Sequence, residues 1–358
     1  MTDLNYDIEV SVFSRGIGEC ILVKYDPTSW IIVDSLIDET GNPVALTYLE
    51  KEGIDLDFVK LIALSHWHDD HVKGAAKLAA ECKNALISYP SVLKIDEFNA
   101  VVSKQANVSN ENFKSGVSEL IKVAQELQKD RSRRRYASAQ RILLEFDKVR
   151  VEALSPSDED HTLFMEEMRV WMDAPPTEKL LVKPSRNDTS VSLAIQIDDD
   201  VLLLGGDLEV RNKLSGWQAV HEISWNNRPK ATLFKIPHHG SVTGEYGPVW
   251  DDMVRANPLA VLTPYGRGVK KLPCDDDIAR LTQRTDHCYS ASDGHLPKAS
   301  RRANAVERTL SEGGISIFKE DMRLGQVRIR KKKSTDEWAV ELFGSALKLK
   351  AAAYTKSH

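Results

Sequence analysis

Short apolar runs and alternating positions dominate the first 64 residues. Asp7 to Phe13 alternates between apolar and polar residues, which predicts a strand. Cys20 to Lys24, Trp30 to Val33 and Val59 to Leu64 are short apolar runs that predict three more strands. Asn42 to Glu52 has helical spacing. Strands that alternate with helices indicate an α/β protein, and the last of these strands ends at a polar cluster, where such proteins place their chemistry.

The next stretch has a different pattern, which predicts a helical insertion over residues 92–145. Glu111 to Gln128 carries apolar residues at helical spacing, and a basic run from Arg131 to Arg135 follows it. We expect an inserted helical hairpin or cap rather than a second core. Residues 158–183, which contain Pro175-Pro176, predict an irregular surface segment.

Strand patterns return after residue 146. Val191 to Ile197 and Val201 to Leu204 predict a hairpin, Ala231 to Ile236 predicts a further strand, and Gln326 to Leu342 predicts a late hairpin. We therefore expect one α/β unit formed by residues 1–91 and 146–345, with the insertion at 92–145 between its halves and a frayed tail at 346–358.

The amino-acid composition excludes several classes of protein but does not identify the substrate. The 358 residues are 42% apolar, enough for a large core, and the net charge of −5 means that a nucleic acid would need a local basic face. Four scattered cysteines argue against a disulfide scaffold or a zinc ribbon. No secretory signal opens the chain and no apolar run reaches ~18 residues, so we expect a cytoplasmic protein with no membrane span.

Four candidate metal ligands fall within one short segment after the strand that ends at Leu64. The segment reads His66-Trp67-His68-Asp69-Asp70-His71. In an extended turn His66 and His68 point the same way, whereas Asp70 and His71 point toward a second position. Imidazole and carboxylate ligands suit zinc, and also manganese and iron. Such a cluster has no evident stabilising use without a metal, so we predict a metal site rather than a functionless surface cluster.

The spacing His66-x-His68-x-Asp70-His71 resembles the metal loop of the metallo-β-lactamase superfamily. Asp34, Asp207 and the segment His238-His239-Gly240-Ser241 resemble later parts of that family's pattern, in the right order. The resemblance implies an α/β fold of the αββα sandwich type, whose two halves are residues 1–91 and 146–345. It also implies that Asp34 orients a ligand histidine from behind.

A narrower resemblance is to the hydrolase domain of ComEC competence proteins and their soluble relatives. It rests on Gly16-x-Gly18-Glu19-Cys20-Ile21, Leu154-Ser155-Pro156, Asn187-x-x-Ser190, Gly206-Asp207, Pro237-His238-His239-Gly240-Ser241, and the hairpin with Gly325-Gln326-Val327-Arg328 and Trp338-Ala339-Val340. It covers most of the chain apart from residues 92–145 and 158–183. The membrane channel of ComEC has no counterpart in this sequence, so DNA uptake is not implied.

The resemblance implies two divalent ions, zinc or manganese. His66 and His68 hold the first ion, Asp70, His71 and His239 hold the second, and Asp207 bridges them. His238 then faces the substrate as proton donor or phosphate contact, although His238 and His239 can exchange these roles, and Asp70 can instead orient the attacking water. Asn187 and Ser190 are predicted to contact an oxyanion or phosphate, with plain turn chemistry as the alternative. His161, in an acidic segment, is more simply a surface histidine than a further ligand.

The leading functional prediction is a nuclease that cleaves phosphodiester bonds in DNA, or in RNA, with a metal-activated water. Two basic segments favour a nuclease, because lysine and arginine can bind the phosphates of a nucleic acid. For the first segment, a solvated charged helix face is the alternative. Trp67 could stack on a base or simply form a wall of the pocket. The segments are Arg131, Arg133, Arg134, Arg135 and Arg141, and Arg267, Lys270 and Lys271. The other readings are a phosphodiesterase or phosphatase for a small molecule, and a metal-binding subunit of a multi-protein complex, such as a bacterial defence assembly, docked through the helical insertion.

Overall fold

Two eight-stranded mixed sheets form the framework of the protein. A computed structural model describes residues 6–94, 111–173, 187, 189–212, 214–267, 271–295, 323–332, 334–335 and 337–350. The first sheet contains, in spatial order, β15 (Trp338–Phe343), β14 (Gly325–Lys331), β1 (Ile8–Ser14), β2 (Cys20–Asp26), β3 (Ser29–Val33), β4 (Val59–Ala63), β5 (Leu86–Pro90) and β6 (Arg134–Ala137). The second contains β16 (Leu347–Lys348), β13 (Cys288–Ser290), β12 (Val254–Leu262), β11 (Ala231–Lys235), β10 (Asp200–Leu204), β9 (Leu193–Ile197), β8 (Val149–Ala153) and β7 (Arg141–Phe146).

The sheets pack face to face, and helices cover their outer faces. Val10 and Ile31 of the first sheet share one buried cluster with Ile195 and Leu233 of the second. Inner strands bury both faces, which explains why they read as continuous apolar runs. The helices are α1 (Val44–Lys51), α2 (Asp69–Val72), α3 (Ala75–Glu81), α4 (Glu111–Lys129), α5 (Asp158–Asp173), α6 (Gly216–Ala219) and α7 (Asp275–Arg284). The predicted αββα sandwich is confirmed. Among the described helices, none is both long and apolar enough to cross a membrane.

The parallel strands bring the candidate site residues to one edge. Strands β3 and β4 run parallel, and so do β10 and β11. Asp34 follows β3, His66 follows β4, Asp207 follows β10 and His239 follows β11. The carboxyl ends of β3 and β4 meet in the first sheet and those of β10 and β11 in the second. A backbone hydrogen bond from Val191 to the Ser65 carbonyl, at 2.9 Å, connects the two sheets at this end, so four distant parts of the sequence converge there.

Residues 92–145, predicted as a helical insertion, contain helix α4, but their carboxyl end is not helical. Residues 134–146 form the edge strands β6 and β7, one in each sheet. Strand β6 pairs with β5 through its backbone, and at a sheet edge this pairing tolerates polar side chains that give no strand pattern. Residues 95–110 of the predicted insertion lie outside the described residues.

Two further sequence expectations are corrected. Residues 158–173 form helix α5 rather than irregular chain, because Phe164 and Met168, four residues apart, pack on the core. The supposed tail contributes β16, and Leu349 is buried against the second sheet. Residues 174–183 and 351–358 lie outside the described part of the chain.

Candidate metal centre

The metal loop is fixed by backbone hydrogen bonds to two neighbouring segments. Asp70 O accepts from the amide of Glu19 at 2.9 Å, and His71 O accepts from the amide of Ser35 at 2.7 Å. His66 and His71 are almost fully buried, whereas His68 and Asp70 are partly open. These backbone hydrogen bonds therefore fix the inner side of the metal loop, and its other side faces solvent.

Gly206 and Ser190 set the position of Asp207. Gly206 has φ +53°, and an added Cβ would lie 2.7 Å from Ser190 Oγ, so only glycine fits. Ser190 Oγ accepts a hydrogen bond from the Asp207 amide at 2.9 Å and its side chain is buried. The hydroxyl of Ser190 therefore holds the backbone of Asp207, which favours the turn alternative over a direct substrate contact.

The paired histidines adopt left-handed backbone conformations. His238, His239 and Gly240 have φ values of 46°, 54° and 81°. Such φ values are uncommon for histidine, and strain of this kind concentrates at functional sites. The sharp turn directs His239 into the cluster and His238 to its rim, and that separation agrees with the predicted split of their roles.

The predicted ligands converge on Asp207. His66 Nε2 lies 3.6 Å and His239 Nε2 3.3 Å from Asp207 Oδ2, and His71 Nε2 lies 3.5 Å from Oδ1. Asp70 Oδ2 lies 3.8 Å from His71 Nε2 and 3.6 Å from His239 Nε2. His68 Nδ1 is 2.8 Å from His66 Nε2. All six predicted ligands are therefore neighbours in a single cluster.

Each buried histidine of the cluster is oriented through its Nδ1 atom. His71 Nδ1 lies 2.7 Å from Asp34 Oδ2, His66 Nδ1 2.9 Å from Ser65 Oγ, and His239 Nδ1 2.9 Å from the Thr263 carbonyl. These partners accept the Nδ1 proton, which leaves the lone pair on Nε2 directed into the cluster. The contact of Asp34 with a ligand histidine, implied by the resemblance, is present.

The donor set fits divalent ions. His71 Nε2 and Asp207 Oδ1 are buried, face each other and have no hydrogen-bond partner among the described residues. Two donors at about 2.0–2.1 Å from a tetrahedral ion lie about 3.3 Å apart, close to the separations between Asp207 and its three histidines. Two groups, His66-His71-Asp207 and Asp70-His71-His239, each bring their ligand atoms within 4.8 Å of one another.

The charges of the cluster are strongly coupled. Burial lowers the pKa of His71, but nearby carboxylates, chiefly Asp207 and Asp34, outweigh it and hold the pKa well above its usual range. Burial raises the pKa of Asp207, yet the charges of His239 and His71 hold it well below its usual range. Burial, with the charge of His71, keeps the pKa of His66 well below its usual range. The carboxylates thus favour the charged form of His71, and the histidines favour the ionised form of Asp207.

His238 belongs to a polar group on the rim, and two members of this group, Glu209 and Thr243, carry no signal in the sequence. Its Nδ1 lies 2.9 Å from Glu209 Oε1 and 2.8 Å from Thr243 Oγ1, and its Nε2 lies 3.1 Å from Asn187 Nδ2. Burial lowers the pKa of His238, but the hydrogen bond to Glu209 and the charge of Asp207 outweigh it and raise the pKa. Asn187 also donates to Glu209 at 3.2 Å and shares a turn with Ser190, so both of its predicted roles are compatible with its position.

Three candidate residues from the sequence are placed elsewhere. Trp67 is 3% exposed and packs against Phe164, so it lines the core beside the loop and does not stack on a base. His161 Nε2 lies 2.6 Å from Ser91 Oγ, outside the cluster. Arg133 is buried and donates to carbonyls of the segment that ends α3, so it is structural rather than part of a basic surface.

The later of the two basic segments, Arg267, Lys270 and Lys271, follows a tyrosine that contacts the candidate centre. Tyr265 packs on the ring of His239 with centroids 5.2 Å apart. Its backbone pairs with Leu272, which closes a loop whose described ends, Arg267 and Lys271, are exposed. Lys270 lies outside the described residues. The exposed Arg267 and Lys271 therefore lie two residues and one residue along the chain from the Tyr265–Leu272 pair, whose tyrosine contacts His239.

Comparisons with known proteins agree with this architecture. Residues 14–157 match the family model described as Metallo-beta-lactamase superfamily. A search of curated proteins found no significant match.

Three solved structures illustrate the structural likeness. A metallo-beta-lactamase from Cronobacter sakazakii is 15% identical, with TM-score 0.34, covering 63% of this chain and 75% of its own. A subclass B3 metallo-beta-lactamase from a soil metagenome library is 12% identical, with TM-score 0.35, covering 66% and 80%. The dizinc quorum-quenching lactonase AidC is 16% identical, with TM-score 0.33, covering 55% and 57%.

Residues 14–157 are therefore similar to the metallo-β-lactamase superfamily, and the two-sheet architecture agrees with the predicted αββα sandwich. The narrower resemblance to ComEC-type hydrolase domains stays a prediction. The described residues contain His and Asp groups that could hold a metal ion.

Proposed function

We propose that the protein is a metal-dependent nuclease that cleaves phosphodiester bonds, with DNA as the first candidate substrate and RNA as the second. The observation that carries the proposal is Tyr265, which packs on the ring of His239 and pairs through its backbone with Leu272, close in sequence to the exposed residues Arg267 and Lys271. A polyanion gains affinity from lysine and arginine contacts to its phosphates, and these two residues would supply such contacts.

His66 and His68 would hold one ion and Asp70, His71 and His239 a second, and the carboxylate of Asp207, which lies beside histidines of both sets, would be shared between them. When bound, two divalent ions of zinc or manganese activate water and neutralise charge on phosphoryl oxygens. The backbone bonds and Nδ1 contacts described above fix these ligands before any substrate arrives, which lowers the cost of assembling the site.

His238 is the proposed proton donor to the leaving oxygen. Glu209 accepts the Nδ1 proton of His238 and raises its pKa, whereas Asn187 Nδ2 donates to Nε2 in the free site. Once a substrate displaces Asn187, Nε2 would hold the proton that passes to the leaving oxygen. Asn187, 3.1 Å from that nitrogen, is placed to contact a phosphate oxygen once a substrate displaces it. Ser190 acts only through Asp207.

The decisive test is cleavage of linear, circular and single-stranded DNA, and of RNA, with added Mn²⁺ or Zn²⁺. The wild type is expected to cut at least one of these, whereas an Asp207→Ala, His68→Ala double variant is expected to be inactive. His221→Ala, which removes a histidine outside the cluster, is the matched control and is expected to retain full activity. If the wild type cuts none of these polymers but hydrolyses bis-p-nitrophenyl phosphate, the nuclease proposal fails and a small-ester phosphodiesterase replaces it.

The basic loop provides a second, independent test. Arg267→Glu with Lys271→Glu is expected to raise KM for DNA about tenfold or more and to flatten its salt dependence by about two units of slope. Hydrolysis of the small ester is expected to be unchanged. Equal effects on both substrates would show that the loop supports the centre rather than binding a polyanion.

A further inference from the structure

A buried ion pair lies directly behind the ligand cluster. We infer that Lys235 and Glu19 are positioning residues, which hold the ligand-bearing segments of the proposed metal centre together. The inference rests on the proposed metal centre and is independent of the proposed substrate.

The pair is sealed from solvent. Lys235 is the last residue of β11, its side chain is 0% exposed, and Glu19 is 1% exposed. Lys235 Nζ forms an ion pair with Glu19 Oε2. Burying two charges carries a desolvation cost that their attraction often fails to recover, and an apolar pair of similar size is frequently as stable. Stability alone therefore gives no reason for an ion pair at this point of the core.

The hydrogen bonds of the pair reach three segments that carry proposed ligands. Lys235 Nζ lies 3.4 Å from the carbonyl of Gly206, the residue before Asp207. Glu19 donates its backbone amide to the Asp70 carbonyl at 2.9 Å.

The third connection runs through Thr263. Its hydroxyl donates to Glu19 Oε2 at 2.7 Å, and its carbonyl accepts from His239 Nδ1 at 2.9 Å. One ion pair thus connects the bridging aspartate, the metal loop and the late histidine, which come from three separate parts of the chain.

The positive charge of Lys235 also keeps Glu19 out of the ligand set. A carboxylate oxygen of Glu19 lies within 4.8 Å of ligand atoms of Asp34 and His71. An unpaired carboxylate at this distance would compete for His71 and for an incoming cation. The pair of Glu19 and Lys235 has no net charge, so Glu19 can hydrogen-bond to the neighbouring loops without attracting the cation.

The experiment measures metal binding directly, without an assay of activity. Zn²⁺ affinity is measured by competition with a chromophoric chelator, and the Co²⁺-loaded protein is measured by visible absorption, which reports the coordination geometry. In a Lys235→Met, Glu19→Gln double variant, which removes both charges and leaves none unpaired, we expect Zn²⁺ affinity to fall about 10–100-fold. The Co²⁺ bands are expected to shift.

The matched control removes a second ion pair that involves a buried carboxylate, Glu152 with Arg228, which contacts no proposed ligand. Glu152→Gln with Arg228→Met is expected to leave Zn²⁺ affinity and the Co²⁺ bands unchanged. If the Lys235 and Glu19 variant folds and binds Zn²⁺ as the wild type does, or if the control loses affinity equally, the inference is wrong.

A third variant covers the case in which the double variant does not fold. Thr263→Val removes only the hydroxyl bond to Glu19 and keeps the carbonyl that orients His239, so a threefold or larger loss of Zn²⁺ affinity supports the inference, and wild-type affinity overturns it. If the wild type itself binds no Zn²⁺, the proposed metal centre fails rather than this inference alone.

Discussion

Asp34 accepts a hydrogen bond from His71, with 2.7 Å between Oδ2 and Nδ1. The same oxygen accepts from the hydroxyl of Ser65 at 2.7 Å, and that hydroxyl lies 2.9 Å from Nδ1 of His66. A single carboxylate therefore fixes the ring orientation and tautomer of two proposed ligands. Partners of this kind tune the affinity of a metal site without touching the metal.

Replacing Asp34 is expected to weaken metal binding while leaving every proposed ligand in place. Asp34→Asn cannot serve both His71 and Ser65 as an anionic acceptor, so we expect the Kd for Zn²⁺ to rise about 10–100-fold. Chelator competition measures the Kd. Asp26→Asn makes the same chemical change in an exposed turn and is expected to have no effect. An Asp34→Asn Kd within twofold of the wild type would contradict the assigned role.

His238 and Glu209 are expected to affect proton donation and not metal content. If His238 protonates the leaving oxygen, His238→Ala is expected to lower kcat roughly 100-fold or more for an ester with a poor alkyl leaving group. For bis-p-nitrophenyl phosphate, whose leaving group needs little protonation, we expect a loss below about tenfold. Glu209→Gln should show the same pattern more weakly.

Steady-state kinetics on the two esters, beside metal analysis of each variant, separate this role from others. Equal losses on both esters would indicate that His238 binds phosphate and does not donate a proton. A loss of bound metal in His238→Ala would instead make it a ligand and reverse the assignment of His238 and His239.

The metal loop could be predicted from the sequence because its ligands lie within six residues of one another. Glu19, Glu209 and Lys235 could not be predicted in the same way. Each is a single charged residue whose partner is far along the chain, and no periodic pattern marks such a pair. Only the convergence of strand ends from the two packed sheets brings these residues to their partners.

For the arginine run, the sequence suggested a functional surface that the structure does not contain in full. Residues 131–135 read as one basic surface, because charge is visible in a sequence whereas burial is not. Arg133 points inward to backbone carbonyls, while Arg131 is exposed. Edge strand β6 was missed for a related reason, since pairing through the backbone requires no apolar side chains at the edge of a sheet.

Arg133 is therefore expected to contribute to stability and not to substrate binding. Its guanidinium donates to the carbonyls of Ala79, Cys82 and Ala85 at 2.8–2.9 Å. Arg133→Met leaves these acceptors without a charged donor and is expected to lower the free energy of unfolding by about 2–4 kcal/mol. Urea unfolding measures the change. Arg131→Met is expected to change it by less than about 0.5 kcal/mol. Normal stability with weakened DNA binding in Arg133→Met would refute this assignment.

Gly116 is expected to control how closely helix α4 approaches the metal loop. A Cβ at this position would lie 2.0 Å from the Trp67 carbonyl. Alanine normally stabilises a helix by up to about 1 kcal/mol over glycine, yet Gly116→Ala is expected to destabilise the protein by about 1–3 kcal/mol because the helix must move away. Ser118→Ala, on the exposed side of the helix, is the control. Greater stability in Gly116→Ala would mean that α4 does not pack on the loop.

Metal affinity is expected to rise with pH because His71 must lose a proton to become a ligand. The carboxylates around His71 hold its pKa well above the usual value, so the ion-free site keeps this proton through neutral pH. The ion that takes His71 as a ligand then displaces one proton, and its Kd, measured with Zn²⁺, should fall about tenfold per pH unit between about pH 6 and 8.

Calorimetry in buffers of different ionisation enthalpy counts the protons released. Asp34→Asn removes one of the charges that raise the pKa of His71, so its pH dependence should move to lower pH while its affinity is weaker throughout. A Kd that does not change across this range would mean that His71 is already neutral in the ion-free protein, and the electrostatic coupling to Asp34 and Asp207 would then be weaker than their geometry indicates.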